Sequence, residues 1–212
     1  MASKHHTDDV FRSKRVPKNP IRFKLQLNEE QKLAKKAILE NTITLLGGSA
    51  GSGKTLLACN VALDGLFTKQ YSKIIITRPT VSKEDIGFLP GDMREKMDPW
   101  VQPIYQNFYT LYGKEKIVPV SFMRGRTFLD SMIIVDEAQN VTHAQMEMIT
   151  SRLGLRSKMM VCGDAQQTDL KKKSESGFKF LYSAARKIKN LEAITLTTNH
   201  RNEIVEDLLE YY

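Results

Sequence analysis

Residues 48–55 read Gly48-Ser49-Ala50-Gly51-Ser52-Gly53-Lys54-Thr55, which fits G-x-x-x-x-G-K-[ST] at every fixed position. Such a loop handles phosphate. Its glycines let the backbone wrap a phosphate chain, and its N–H groups form an anion nest at the start of a helix. The whole stretch, Gly48, Ser49, Ala50, Gly51, Ser52, Gly53, Lys54 and Thr55, is therefore a candidate nucleotide-binding segment. Lys54 would reach the β- and γ-phosphates, and the Thr55 hydroxyl would ligate Mg²⁺.

A second chemical signal is Ile133-Ile134-Val135-Asp136-Glu137-Ala138-Gln139. Three aliphatic residues push a carboxylate pair out at the end of a strand, where α/β sheets bind ligands. Asp136 suits the Mg²⁺ shell. Glu137 is placed to orient or deprotonate an attacking water. A third segment, Gly163-Asp164-Ala165-Gln166-Gln167, follows another short apolar run. A glutamine amide there can hydrogen-bond both a γ-phosphate and the lytic water. Gln167 is the candidate and Gln166 the alternative. Arg201, in Asn199-His200-Arg201, can complete a γ-phosphate site as an arginine finger, in cis or from a neighbour. His200 reads as a packing or capping residue. Arg78, Arg124 and Arg126 suit either nucleic-acid phosphate, a neighbouring subunit or an ordinary surface ion pair.

The elements that must position these groups alternate. Strands are predicted at 43–46, 73–77, 117–122, 131–135, 158–162 and 193–197. Helices are predicted at 29–39, 56–67, 101–112, 144–153, 177–188 and 203–211, with a short one around 92–97. Asn28 is the expected N-cap of the first, with Gln31 as its capping-box partner. The alternation predicts an α/β fold, a mostly parallel sheet with helices on both faces.

Length and composition fit one domain. The chain has 212 residues, 41% hydrophobic and 26% charged, with no apolar run long enough for a membrane span. Residues 1–20 read as a basic flexible leader and 21–212 as a single domain. Of the net +8, most sits in residues 1–24, where seven Lys or Arg face Asp8 and Asp9. Such an arm either touches nucleic acid or is simply solvated. Cys59 and Cys162 suit a reduced compartment, the cytoplasm, as small buried apolar groups.

Taken in order, Gly48–Thr55, Gly87-Phe88-Leu89-Pro90-Gly91-Asp92, Arg124-Gly125-Arg126-Thr127, Asp136-Glu137-Ala138-Gln139-Asn140, Gly163–Gln167 and Ser176-Gly177 resemble the PhoH family. The resemblance covers roughly residues 25–212. It implies a RecA-like P-loop ATPase related to superfamily 1 helicases, with ATP and Mg²⁺ as ligands and a role in RNA metabolism. It also implies that Gln31 matches an adenine-reading glutamine and that the family's C-terminal arginine falls on Arg201.

The expected activity is Mg²⁺-dependent ATP hydrolysis coupled to RNA or single-stranded nucleic acid. A single RecA-like lobe leaves half the nucleotide facing solvent. This predicts a homo-oligomer, such as a hexameric ring, in which a neighbour supplies an arginine. The rival from another class is a nucleotide-gated binding switch with little turnover. A small-molecule kinase is disfavoured by the Asp136-Glu137 pair and by the lack of an obvious lid.

Overall fold

The computed structural model describes residues 25–78, 127–170 and 173–200. Arg201, Arg124, Arg126, the expected elements at 92–97, 101–112, 117–122 and 203–211, and the leader lie outside the described residues.

The first helix, α1 (Glu29–Glu40), starts as expected. The Asn28 side chain accepts from the Gln31 N–H at 2.8 Å, and the Gln31 side chain accepts from the Asn28 N–H at 3.2 Å. Such a reciprocal cap satisfies two otherwise orphan donors. Next come β1 (Ile43–Gly47), α2 (Lys54–Phe67), β2 (Lys73–Thr77) and β3 (Ser131–Val135). Then follow α3 (His143–Thr150), β4 (Lys158–Gly163), α4 (Gly177–Ala184) and β5 (Leu191–Thr195).

Among the described residues the five strands form one parallel sheet in the order β2-β3-β4-β1-β5. Strand side chains alternate between faces, and the two cores show it. Leu46, Ile134, Met160 and Cys162 join α1 and α2 on one side. Leu45, Ile133, Val135 and Val161 join α3 and α4 on the other. Both faces are covered, so the central strands β3 and β4 are buried at nearly every position rather than alternately. Phe178 on α4 is fully buried against the second face. Burial of a side chain of this size contributes about 1.5–3 kcal/mol.

Several boundaries differ from the sequence expectation, three of them at the ends of later elements. The last strand is Leu191–Thr195, two residues earlier than 193–197. Its register is set by pairing with β1, Ile43 opposite Leu191 and Gly47 opposite Thr195. Beyond it, the N–H groups of Thr197 and Thr198 donate to the Glu30 carboxylate on α1 instead of to a strand. The third helix ends at Thr150, before Leu153, where the chain turns so that Phe128 and Leu153 form an isolated bridge. The fourth ends at Ala184 and passes into a short 3₁₀ turn, Ala185–Lys187.

The topology fixes where a ligand goes. β1 leads into α2 on one face, while its neighbour β4 leads to α4 on the other. The crevice lies between adjacent strands whose connections diverge to opposite faces. The loop 48–53 and the segment after Gly163 flank it.

Candidate nucleotide site

The loop between β1 and α2 curls over the end of the sheet. Gly48 sits at φ 141 and Gly53 at φ 81. A Cβ at Gly48 would stand 2.3 Å from the Leu196 carbonyl oxygen, so only glycine leaves the loop this close to the chain leaving β5. The first turn of α2 has no side-chain cap. Its leading N–H groups therefore face the crevice as anion donors. Lys54 Nζ donates to the carbonyls of Gly48 at 2.8 Å and Ser49 at 2.7 Å, and to Ser52 Oγ at 3.2 Å. The ammonium thus lies over the concave side of the loop. Burial lowers its pKa, while nearby Asp164, Glu137 and Asp136 pull the other way.

β3 delivers the acidic pair. Asp136 is buried and its Oδ1 accepts the Thr55 hydroxyl at 2.8 Å. Burial pushes the Asp136 carboxyl up; the Thr55 hydrogen bond resists this and the Glu137 charge adds to it. Glu137 follows at φ 52, in the left-handed region, and opens a 3₁₀ turn at Ala138–Asn140. For a residue with a side chain that conformation costs on the order of 1–3 kcal/mol, and such outliers gather at functional sites. The Glu137 carboxylate accepts from Gln139 Nε2 at 2.6 Å and from Arg78 Nη2 at 3.3 Å.

These groups line one cavity of about 580 Å³, together with Gln31, Ala50, Gly51, Gly53, Asp164, Gln167 and His200. The donor set fits Mg²⁺. Thr55 and Asp136 offer hard oxygens side by side, and a divalent cation relieves a carboxylate that burial and a like charge have pushed up. Among the described residues no group of three or more His, Cys, Asp or Glu could hold a metal.

The candidates from sequence fall as follows. Gln31, Ala50, Gly51, Gly53, Lys54, Thr55, Asp136, Glu137 and Gln167 line the cavity. Gly48, Ser49 and Ser52 belong to the same loop and meet Lys54 through their carbonyl or hydroxyl oxygens. Gln31 both caps α1 and places Nε2 at 3.3 Å from His200 Nε2. His200 does more than pack: its N–H donates to the Gly51 carbonyl at 3.1 Å, and its ring lines the cavity. Gln166 donates its N–H to Asp164 Oδ1 at 2.8 Å and does not line the cavity.

Two residues received no role from the sequence. Gln139 is buried, holds Glu137, and accepts the Asp164 N–H at 3.1 Å. Its only local signal is a glutamine two positions after the acidic pair. Glu30 accepts from the N–H and hydroxyl groups of both Thr197 and Thr198, which lowers its pKa to about 2. It ties the start of α1 to the segment carrying His200. Nothing in the sequence spacing marks that contact.

The sequence profile of the PhoH-like protein family matches residues 25–212. The chain belongs to this family. A PhoH-like protein of Bacillus subtilis is 39% identical over 190 residues, covering 83% of this chain and 60% of the relative. A PhoH-like protein of Synechocystis is 37% identical over 191 residues, covering 84% and 58%. Protein PhoH of Escherichia coli is 42% identical over 160 residues, covering 69% and 45%. The chain thus spans roughly half the length of these curated PhoH-like relatives. In fold it is similar to the large terminase of a thermophilic bacteriophage, with a TM-score of 0.58 and 11% identity over 92% of this chain and 51% of that one. Family, sheet and loop together give a RecA-like α/β fold with a phosphate-binding loop. Among the described residues no helix is long and apolar enough to cross a membrane.

Proposed function

We propose that this PhoH-like chain hydrolyses ATP with Mg²⁺ and couples the reaction to RNA or another single-stranded nucleic acid. The observation that carries the reading is the convergence of Lys54, the Thr55–Asp136 pair and Glu137 on one cavity. Each answers a different need of phosphoryl transfer, and a binding fold alone needs no carboxylate in the position of Glu137.

In this reading the loop amides and Lys54 hold the triphosphate and neutralise charge that grows on its oxygens in the transition state. Thr55 and Asp136 would hold Mg²⁺, which would supply further neutralisation of the phosphate charge. Glu137 accepts the proton of the attacking water. The water oxygen bonds to the γ-phosphorus, and the bond to the β–γ bridging oxygen breaks with its electron pair leaving on ADP. Gln167 orients the water or senses the γ-phosphate. Gln31 and His200 border the part of the cavity beside the start of α1 and would flank the base. Arg201 would act as the finger, in cis or across a ring of subunits. The buried free thiols Cys59 and Cys162, whose pKa values burial raises, agree with a reduced, cytoplasmic setting.

Phosphate release by wild type and Glu137→Gln, with and without single-stranded RNA and DNA, tests this. The expected result is a loss of roughly 10²–10³-fold in rate with ATP binding retained. Equal rates would refute the role of Glu137. Tight ATP binding with no phosphate release from wild type would favour a nucleotide-gated switch.

A further inference from the structure

The Glu137 carboxylate is gripped by two donors of different character. Gln139 donates to Oε2 at 2.6 Å. It cannot turn away cheaply, because its own Oε1 accepts the Asp164 N–H, and its backbone carbonyl accepts the hydroxyls of Thr168 at 3.0 Å and Ser176 at 3.2 Å. Arg78 donates to Oε1 through one nitrogen at 3.3 Å, from the residue that follows β2. The two side chains are 22% and 41% exposed, so this ion pair is partly solvated and weak. A guanidinium pairs better with a phosphate, which can take two of its N–H groups in parallel.

We propose that the Arg78–Glu137 pair is a latch that nucleic acid opens. A backbone phosphate of a single strand draws Arg78 off, and Glu137, still hinged on Gln139, turns to receive the proton of the attacking water. The proposal rests on the reading of Glu137 given above and adds what regulates it. Arg78 is thus a positioning residue that holds Glu137 in a resting orientation. The chain is basic overall, with a net charge of +8, which suits a polyanion as the competitor.

Two measurements on the full chain test it. The first is fluorescence anisotropy of short labelled oligouridylate and oligothymidylate, without nucleotide. Breaking the pair from the other side removes one of the groups that hold Arg78. Glu137→Gln should therefore bind the strand about two- to fivefold tighter, the affinity equivalent of a half-exposed ion pair. Arg78→Gln should bind more weakly with a salt slope shallower by about one, and Arg78→Lys should recover part of the affinity. The second is phosphate release. Arg78→Gln should hydrolyse faster than wild type alone, and the oligonucleotide should stimulate it little.

Unchanged binding by Glu137→Gln overturns the latch. So does an Arg78→Gln rate below wild type with stimulation intact. Stimulation that tracks protein concentration instead of oligonucleotide would assign Arg78 to a neighbouring copy and overturn it too. A wild type that releases no phosphate defeats the ATPase reading, while the binding measurement still decides the latch. Comparing the RNA and DNA strands shows which backbone is preferred.

Discussion

Gly48→Ala puts the phosphate loop to its most direct test. The new methyl would stand 2.3 Å from the Leu196 carbonyl oxygen, and 2.8 Å from Ser52 Oγ. A carbon and a carbonyl oxygen need about 3.3 Å, so something must shift by roughly 1 Å. The serine can rotate; the carbonyl cannot easily move. Leu196 donates its own N–H to the Gly47 carbonyl at 2.8 Å, and Thr195 before it is paired to β1. The φ of 141 adds a penalty for any residue with a side chain. Overpacking of about 1–3 kcal/mol and backbone strain of about 1–2 kcal/mol give a cost near 2–5 kcal/mol. For a domain of this size that lowers Tm by roughly 5–15 °C. Gly53→Ala is the built-in comparison. It also has a positive φ, 81, but its methyl would press only on the Gln31 amide nitrogen, at 3.0 Å, the end of a movable side chain, with His200 Cδ2 in ordinary contact at 3.8 Å. Calorimetric melting together with nucleotide binding should place Gly48→Ala well below Gly53→Ala in both. If the two variants melt and bind alike, the close approach of the loop to Leu196 is not what restricts position 48.

Glu30 makes acid stability sensitive to one carboxylate. Its folded pKa is held near 2, against an ordinary value of 4.5, first by the Thr197 hydroxyl and then by the backbone N–H groups of Thr198 and Thr197. A depressed pKa stabilises above the unfolded value, and that contribution fades as pH falls from about 4.5 towards 2. Melting curves across this window should therefore be flatter for Glu30→Gln than for wild type; identical slopes would refute the clamp. Gln139→Leu leaves the buried Asp164 N–H unpaired, so stability should fall by about 1–3 kcal/mol by denaturant titration. Hydrolysis should slow while ATP affinity holds; a stable variant with full turnover would show that Gln139 does not position Glu137.

Much of this arrangement is legible in the residues themselves, and the reasons are local. A phosphate loop needs particular residues at fixed spacing, and a buried parallel strand needs a run of branched aliphatics. Both rules act over a few residues, so β1, β2, β3 and the loop fall where expected. The same holds for the Asn28–Gln31 cap. What escapes depends on distant partners. Leu196-Thr197 reads as the end of a strand, yet Glu30, far back on α1, takes the N–H groups of Thr197 and Thr198. Gln139 looks like one more residue of a polar turn until Asp164 is brought beside it by the pairing of β3 with β4. His200 reads in sequence as a packing or capping residue. Its contact with Gly51 arises only because β5 lies next to the strand that carries the loop.

The placement of β1 bears on how the protein is made. Its two neighbours in the sheet, β4 and β5, are encoded far downstream, and β2, the strand next in sequence, lies at the opposite edge. Contacts of such long range form slowly and late. A ribosome would have to release everything through β5 before the triphosphate cradle acquires its flanking strands. Ligand capture during translation should therefore switch on abruptly, once the segment through Thr195 has emerged, instead of growing with each helix and strand.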